Sequence, residues 1–234
     1  MKFPDIRLYI SAPRINKYLS ATGSKTKAVR LYKANLKIAQ SFHPLLGIIE
    51  VAIRNRINTV LSAHFSDPDW IINQKLGFMS DSSLRYTYKK TGQAKTNNYL
   101  KKEIEKAQRR LTKSGATITS GKIIAEQTLG FWTNLFEVHH YKLLSGQPIK
   151  IFNGLPVGYG RKEVLGDLNK IRRFRNRINH NEPIVFNGTV TDLSETEDVY
   201  KSLIELISWI DPELINWIND LDSVTNKINS AKNI

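Results

Sequence analysis

Apolar positions recur along most of this chain at spacings of three and four, the period of a helix with one buried face. Between residues 25 and 40 they are Ala28, Val29, Leu31, Tyr32, Leu36, Ile38 and Ala39. Ser41 and Pro44 suit a fresh helix start. The pattern then continues through Leu45, Leu46, Ile48, Ile49, Ala52, Ile53, Ile57, Val60 and Leu61 to about His64, and Asp67-Pro68 ends it. Two helices, 25–40 and 41–64, are therefore predicted. Ahead of them, residues 1–12 read as a leader and Pro13 opens a short helix to about Leu19. Thr22-Gly23 breaks that helix, with Ser24 as the next N-cap. Trp70, Ile71, Ile72 and Phe78 stand between turn residues in 68–84, which predicts a small packing segment.

Downstream, residues 97–112 predict a helix that is polar on most of its circumference, and 121–138 a helix rich in apolar and aromatic positions. Pro148, Pro156 and several glycines make 146–160 a loop. A basic helix over 161–181 follows, stopped by Pro183, which cannot continue it. Ile184, Val185, Phe186 and Val190 suggest a brief β-like loop over 184–193. Residues 194–210 read as an acidic amphipathic helix with Ser194 and Glu197 as a capping box. Asp211-Pro212 begins a last helix that ends around Asn229. Period-two alternation is scarce and no βαβ rhythm appears, so the fold class is all-α, a helical bundle. One domain over 1–234 is expected: N-terminal helices at 14–64, a basic insertion at 85–113, a core at 121–181 and C-terminal helices at 194–229.

Composition narrows the function. The 234 residues carry a net charge of +14 and a pI near 9.9. Such a surface attracts polyanions, meaning nucleic acid or anionic lipid. There are no cysteines, which excludes disulfides, thiol catalysis and thiolate metal sites. The pattern shows no apolar run of transmembrane length, and Met1 to Ile10 lacks the form of a secretory signal. A soluble cytoplasmic protein without membrane contact is the expectation. Charge is uneven. Arg85 to Lys113 holds ten Lys or Arg against Glu103 and Glu105, while 192–222 is acidic with Lys201 its only cation. Positive potential is therefore expected on 85–113 and 161–181. Lys101, Lys102, Arg109 and Arg110 are candidate RNA contacts, and Tyr86, Tyr88 and Tyr99 are candidates for base stacking. The competing reading of this span is a solvated lysine-rich face.

The densest chemistry lies at Arg175-Asn176-Arg177-Ile178-Asn179-His180. At 100° per residue Asn176 and His180 are about 40° apart and share a face, whereas Arg175 is about 140° from His180. Lys170, Arg172, Arg173, Arg177 and Asn179 surround one imidazole, and no carboxylate occurs in 168–181. RNA cleavage that uses the neighbouring 2′-hydroxyl as nucleophile needs neither an enzyme nucleophile nor a metal. It needs a group that moves protons near neutral pH, which suits His180. It also needs a cation for the phosphorane, which suits Arg175. Asn176 can orient the imidazole or donate to a phosphoryl oxygen. The alternative is that His180 merely caps its helix and the arginines form a solvated face. Earlier in the chain, Arg54-Asn55-Arg56-Ile57-Asn58 echoes the motif but has Thr59 where His180 stands. Two readings of Glu50, Arg54 and Asn55 stay open. Either they support the motif helix or bind phosphate, or Glu50 and Arg54 form an ordinary i,i+4 salt bridge.

Arg-Asn-three residues-His near a helix end resembles the signature of the HEPN superfamily (higher eukaryotes and prokaryotes nucleotide-binding). Glu50-Val51-Ala52-Ile53-Arg54-Asn55, the segment Phe65 to Trp70, and Gly130-Phe131-Trp132-Thr133-Asn134-Leu135-Phe136 resemble its Abi-like (abortive infection) branch, in the same order. The similarity covers roughly residues 14–210. It implies a bundle of HEPN type with additional N- and C-terminal helices. It also implies a metal-independent, cofactor-free endoribonuclease of phage defence or toxin–antitoxin systems, with Arg175, Asn176 and His180 catalytic. Arg172, Arg173, Arg177, Arg54 and Asn55 are then RNA contacts, with Glu50 supporting. A homodimer with a composite cleft is implied, in which Arg175 of one chain serves the other's site. An antitoxin, protein or RNA, is the further partner that such a system admits. Where some HEPN toxins carry a modifiable tyrosine two residues after the histidine, this chain has Glu182, so that regulation is not expected. The rival function is a non-catalytic RNA-binding module.

Other motifs carry less. Gly23-Ser24-Lys25-Thr26 and Ser120-Gly121-Lys122 lack the upstream glycine and strand of a phosphate loop, and Gly158-Tyr159-Gly160 is no dinucleotide fingerprint. Glu137-Val138-His139-His140 lacks zinc-protease spacing, so both histidines are expected at the surface or in packing. Phe131, Trp132 and Phe136 are expected in the core.

Overall fold

A computed structural model describes all residues, Met1–Ile234, as twelve α-helices and two small antiparallel hairpins. The all-α expectation holds. By internal contacts the chain divides into two compact units, 1–49 with 170–234, and 50–169. Two helices belong partly to each: α3 (Lys25–Phe65) and α9 (Arg161–Asn179).

The first unit begins with α1 (Phe3–Ile10), where a leader was expected, and α2 (Ala12–Thr22). Gly23 closes α2 in the left-handed conformation, its N–H donating to Leu19 O at 2.8 Å. It contains the first part of α3 and the last part of α9. The hairpin of β3 (Phe186–Asn187) and β4 (Val190–Thr191) follows, then α10 (Ser194–Ile210), α11 (Glu213–Ile218) and α12 (Val224–Lys232). The final helix expected from Asp211 to Asn229 is thus two. The expected capping box also fails. Asp192 Oδ1 accepts the Ser194 N–H at 2.8 Å, and Glu197 is drawn instead to Lys232 at 2.6 Å.

The helices predicted at 25–40 and 41–64 are one helix of 41 residues with Pro44 inside it. Proline costs a helix interior about 3 kcal/mol, through its missing N–H and its ring. Ile38, Phe42, Leu45, Ile49, Ile53, Ile57 and Leu61 form one stripe through the proline, every one fully buried. Burying each contributes about 1.5–3 kcal/mol, so the stripe outweighs the proline several-fold. An 18-residue window of α3 has a mean hydropathy of 1.3, long and apolar enough to cross a membrane by length and composition. That amends the expectation of no such run. The same helix exposes Arg30, Lys33, Lys37 and Arg56 on the side away from the buried stripe, the pattern of a core helix with one wet face.

The second unit holds the rest of α3, α4 (Trp70–Asn73), two 3₁₀ turns over 78–84, and the hairpin of β1 (Arg85–Thr87) and β2 (Ala94–Thr96). All six strand residues are exposed, so no burial alternation marks them in the sequence. α5 (Tyr99–Lys113) buries Leu100, Ile104, Ala107 and Leu111. The single helix expected over 121–138 is broken into α6 (Ser120–Glu126), α7 (Leu129–Asn134) and α8 (Val138–Leu143). Five successive residues, Leu129 to Thr133, are buried, as are Leu135 and Phe136. A straight amphipathic helix cannot bury its whole circumference, so the chain turns at both ends of α7. The core assignment of Phe131, Trp132 and Phe136 holds. Trp70, also buried, donates from Nε1 to Asn58 Oδ1 at 2.9 Å. His139 is exposed and His140 buried.

Candidate functional site

The end of α9 is built in a specific way. Val164, Leu168, Ile171, Phe174 and Ile178 are buried at spacings of three and four. The helix stops at a left-handed Asn181 with φ of 52°. Asn181 N–H donates to Ile178 O at 2.9 Å and Glu182 N–H to Arg177 O at 2.8 Å. These two bonds are the paired closures of a Schellman cap, and asparagine tolerates the left-handed position better than most residues. His180 is therefore the C-cap residue, its N–H bonded to Asn176 O at 3.0 Å.

This cap leaves a polar stripe in water. Arg173, Asn176 and His180 are all exposed, at spacings of three and four on one face. None of their side chains has a hydrogen bond or ion pair within the chain. Arg172 and Arg175 are half-buried and engaged with other groups of the protein. The guanidinium that shares the His180 face is that of Arg173, about 20° away, while Arg175 projects from another side.

The segment after the cap is stapled down. Asn35 of α3, 1% exposed, accepts the Ile184 N–H through Oδ1 at 2.7 Å. Thr196 of α10, fully buried, donates through Oγ1 to Ile184 O at 2.6 Å. Both main-chain groups of Ile184 are thus satisfied by side chains, four residues beyond His180. Tyr18 packs edge-on against Phe186 just beyond, with ring centroids 4.9 Å apart. The absence of carboxylates from 168–181 had implied an unneutralised surface. Folding supplies them from α10. Arg177 meets Glu195 at 2.6 Å and Glu182 at 3.9 Å, and donates to Pro183 O at 2.6 Å. Lys170 pairs with Asp198 at 2.8 Å and donates to Ser202 Oγ at 2.9 Å. Arg177 is thereby a clamp on the turn after His180. Asn179 is exposed.

In the second unit, Lys102, Lys106, Arg109 and Lys113 are exposed at spacings of four, three and four, within an arc of about 60° opposite the buried stripe of α5. Only Lys106 has a carboxylate within range, Glu103 at 3.9 Å. Of the other predicted contacts, Arg110 is held by Glu126 at 2.7 Å and Lys101 donates to Ser80 Oγ at 3.1 Å. Tyr86 is exposed, and Lys95 lies over the Tyr88 ring at 4.0 Å. Glu50, Arg54 and Asn55 also belong to this unit. Glu50 and Arg54 do not pair with each other, since Glu50 is engaged elsewhere and Arg54 Nε is buried with no acceptor. Asn55 is exposed. Burial pushes the His140 pKa down, opposed by its hydrogen bond to Asn134 O at 3.1 Å.

Sequence reasoning missed Asn35 and Thr196, each a lone polar residue in an apolar pattern with nothing to mark its partner. It also passed over residues 6–49, which hold eight Lys or Arg and no Asp or Glu. That signal was readable from charge alone.

A family model described as Abi-like protein matches residues 6–187. Neither the curated proteins nor the solved structures compared with the chain gave a match.

Proposed function

The chain belongs to the Abi-like protein family, which points to a role in abortive-infection defence, and on that premise we propose that it is a metal-independent endoribonuclease of the HEPN type. The observation that carries this reading is the exposed, partner-free stripe of Arg173, Asn176 and His180 at the capped end of α9.

In the proposed reaction the 2′-oxygen of a ribose bonds to the adjacent phosphorus as its proton leaves. The bond from phosphorus to the 5′-oxygen breaks, and that oxygen takes up a proton. The products are a 2′,3′-cyclic phosphate and a 5′-hydroxyl. His180 moves the proton. Arg173 lies on the same face and grips a phosphoryl oxygen. Asn176 orients the imidazole. Arg175, tethered at another angle, serves the phosphorane across a homodimer, as the HEPN resemblance implies. On this reading the enzyme acts in the cytoplasm, and a growth-arrest system admits an antitoxin, protein or RNA, as its partner. The second reading, a non-catalytic RNA-binding module, is favoured by the cationic ridge of α5, which needs no reactive group.

The test is total RNA incubated in EDTA with wild type and with His180→Ala, followed by analysis of fragment ends. Cyclic-phosphate ends from wild type alone support the nuclease. Intact RNA with both proteins, alongside retained gel-shift binding, turns the assignment to the binding module.

A further inference from the structure

A second cationic site lies in the first unit, apart from the exposed stripe of α9. Residues 6–49 carry Arg7, Arg14, Lys17, Lys25, Lys27, Arg30, Lys33 and Lys37 with no carboxylate among them. Two of these cations are spent on aromatic rings, Lys17 over Phe186 at 4.9 Å and Lys25 over Phe3 at 5.9 Å. Arg30, Lys33 and Lys37 follow at spacings of three and four on the wet face of α3, spanning about 10 Å along its axis. All three are exposed.

α12 completes the site. A groove of about 250 Å³ is lined by Arg30, Lys33, Ala34 and Lys37 from α3, by Lys227 and Ser230 from α12, and by Ile234. No Asp or Glu side chain lines it. None of the four cations has a hydrogen bond, ion pair or ring contact within the chain. Elsewhere in the same unit Lys170, Arg177 and Lys232 each find a carboxylate within 2.8 Å. Four unneutralised charges converging from two helices cost self-repulsion, which a bound anion relieves. The groove is neither enclosed nor flat, so a linear chain of phosphates can enter and leave it. Ser230 lines the groove with its hydroxyl donating to Asn226 O at 2.8 Å, so the groove's free donors are the cations.

We propose that the groove formed by Arg30, Lys33, Lys37 and Lys227 is a binding site for the sugar–phosphate backbone of single-stranded RNA. This goes beyond the nuclease reading and does not depend on cleavage. Its contacts are to phosphates, so it is indifferent to base sequence.

The probe is a mixed-sequence 2′-O-methyl oligoribonucleotide of about 20 nucleotides, which keeps the phosphates but has no attacking hydroxyl. Fluorescence anisotropy measures its binding over a salt series to wild type, to Lys33→Ala/Lys37→Ala/Lys227→Ala, and to the charge-preserving Lys33→Arg/Lys37→Arg/Lys227→Arg. Each lost phosphate contact lowers the salt slope by about 0.7 for single strands, so the alanine variant is expected to lose about two units of slope. Its affinity at physiological salt is expected to fall about tenfold or more, with the arginine variant close to wild type. Circular dichroism confirms that each variant is folded. Unchanged affinity and slope in a folded alanine variant overturn the proposal. So does binding of inorganic pyrophosphate that the alanine substitutions abolish while oligonucleotide binding survives, which makes this a small-anion site. Capture of wild type by phosphatidylserine vesicles, with no oligonucleotide binding, overturns it in favour of a lipid surface. Because the probe cannot be cleaved, a negative EDTA assay on ordinary RNA leaves each of these outcomes readable.

Discussion

His180 and His140 show how one residue type takes opposite roles through burial alone. His180 caps a helix in water with its ring unpartnered. His140 is fully buried and holds the Asn134 carbonyl through Nδ1. Desolvation lowers its pKa from the ordinary value of 6.5. The unfolded chain therefore takes up this proton before the folded protein does. Stability from a neutral His140 is fully present above about pH 6.5 and is lost as pH falls through the lower folded value. Calorimetry of wild type and His140→Gln at about pH 7.5 and 5.5 is expected to show a smaller drop in Tm for the variant. An equal drop in both proteins means that other groups govern the acid side.

At the scale of elements, tertiary partners decide where helices run and where loops sit. α3 passes through Pro44 because a stripe of large apolar residues on both sides of it finds a core. The turn after α9 is held by its own cap and Arg177 and also by distant Asn35 and Thr196, which accept from and donate to Ile184. Replacing Asn35 by alanine leaves a buried N–H without an acceptor, at a cost of about 1–3 kcal/mol. Urea denaturation is expected to show a loss of that size for Asn35→Ala. The element next to His180 is loosened as well, so RNA cleavage is expected to fall along with stability. A change within 0.5 kcal/mol or so, the range of ordinary surface substitutions, shows that water replaces the amide and the staple is dispensable.

At the scale of the molecule, the net charge of +14 is not spread evenly. α10 neutralises Lys170 and Arg177, while the α5 ridge of Lys102, Lys106, Arg109 and Lys113 stays in water. RNA binding is expected to weaken steeply with salt. The double variant Lys102→Ala/Arg109→Ala is expected to flatten the slope by about 1.4, at about 0.7 per phosphate contact, whereas Arg110→Ala, whose cation is already paired with Glu126, is expected to flatten it far less. A loss of about 0.7 for Arg110→Ala, half that of the double variant, means that the ion pair opens on binding.

Much of this was legible along the chain because it depends on neighbours in sequence. Helical periodicity, an end of α9 ahead of Pro183, the shared face of Asn176 and His180, and the burial of Phe131, Trp132 and Phe136 each follow from spacing and residue type. The Abi-like resemblance, carried by local segments, was legible for the same reason. What required the fold are relations between distant residues. Glu195 and Asp198 reach back to Arg177 and Lys170, Asn35 reaches Ile184 across 149 positions, and Lys227 joins Arg30. Sequence sets which charges and apolar faces exist. Only tertiary packing decides which charges are cancelled, and so which remain in water to meet a ligand.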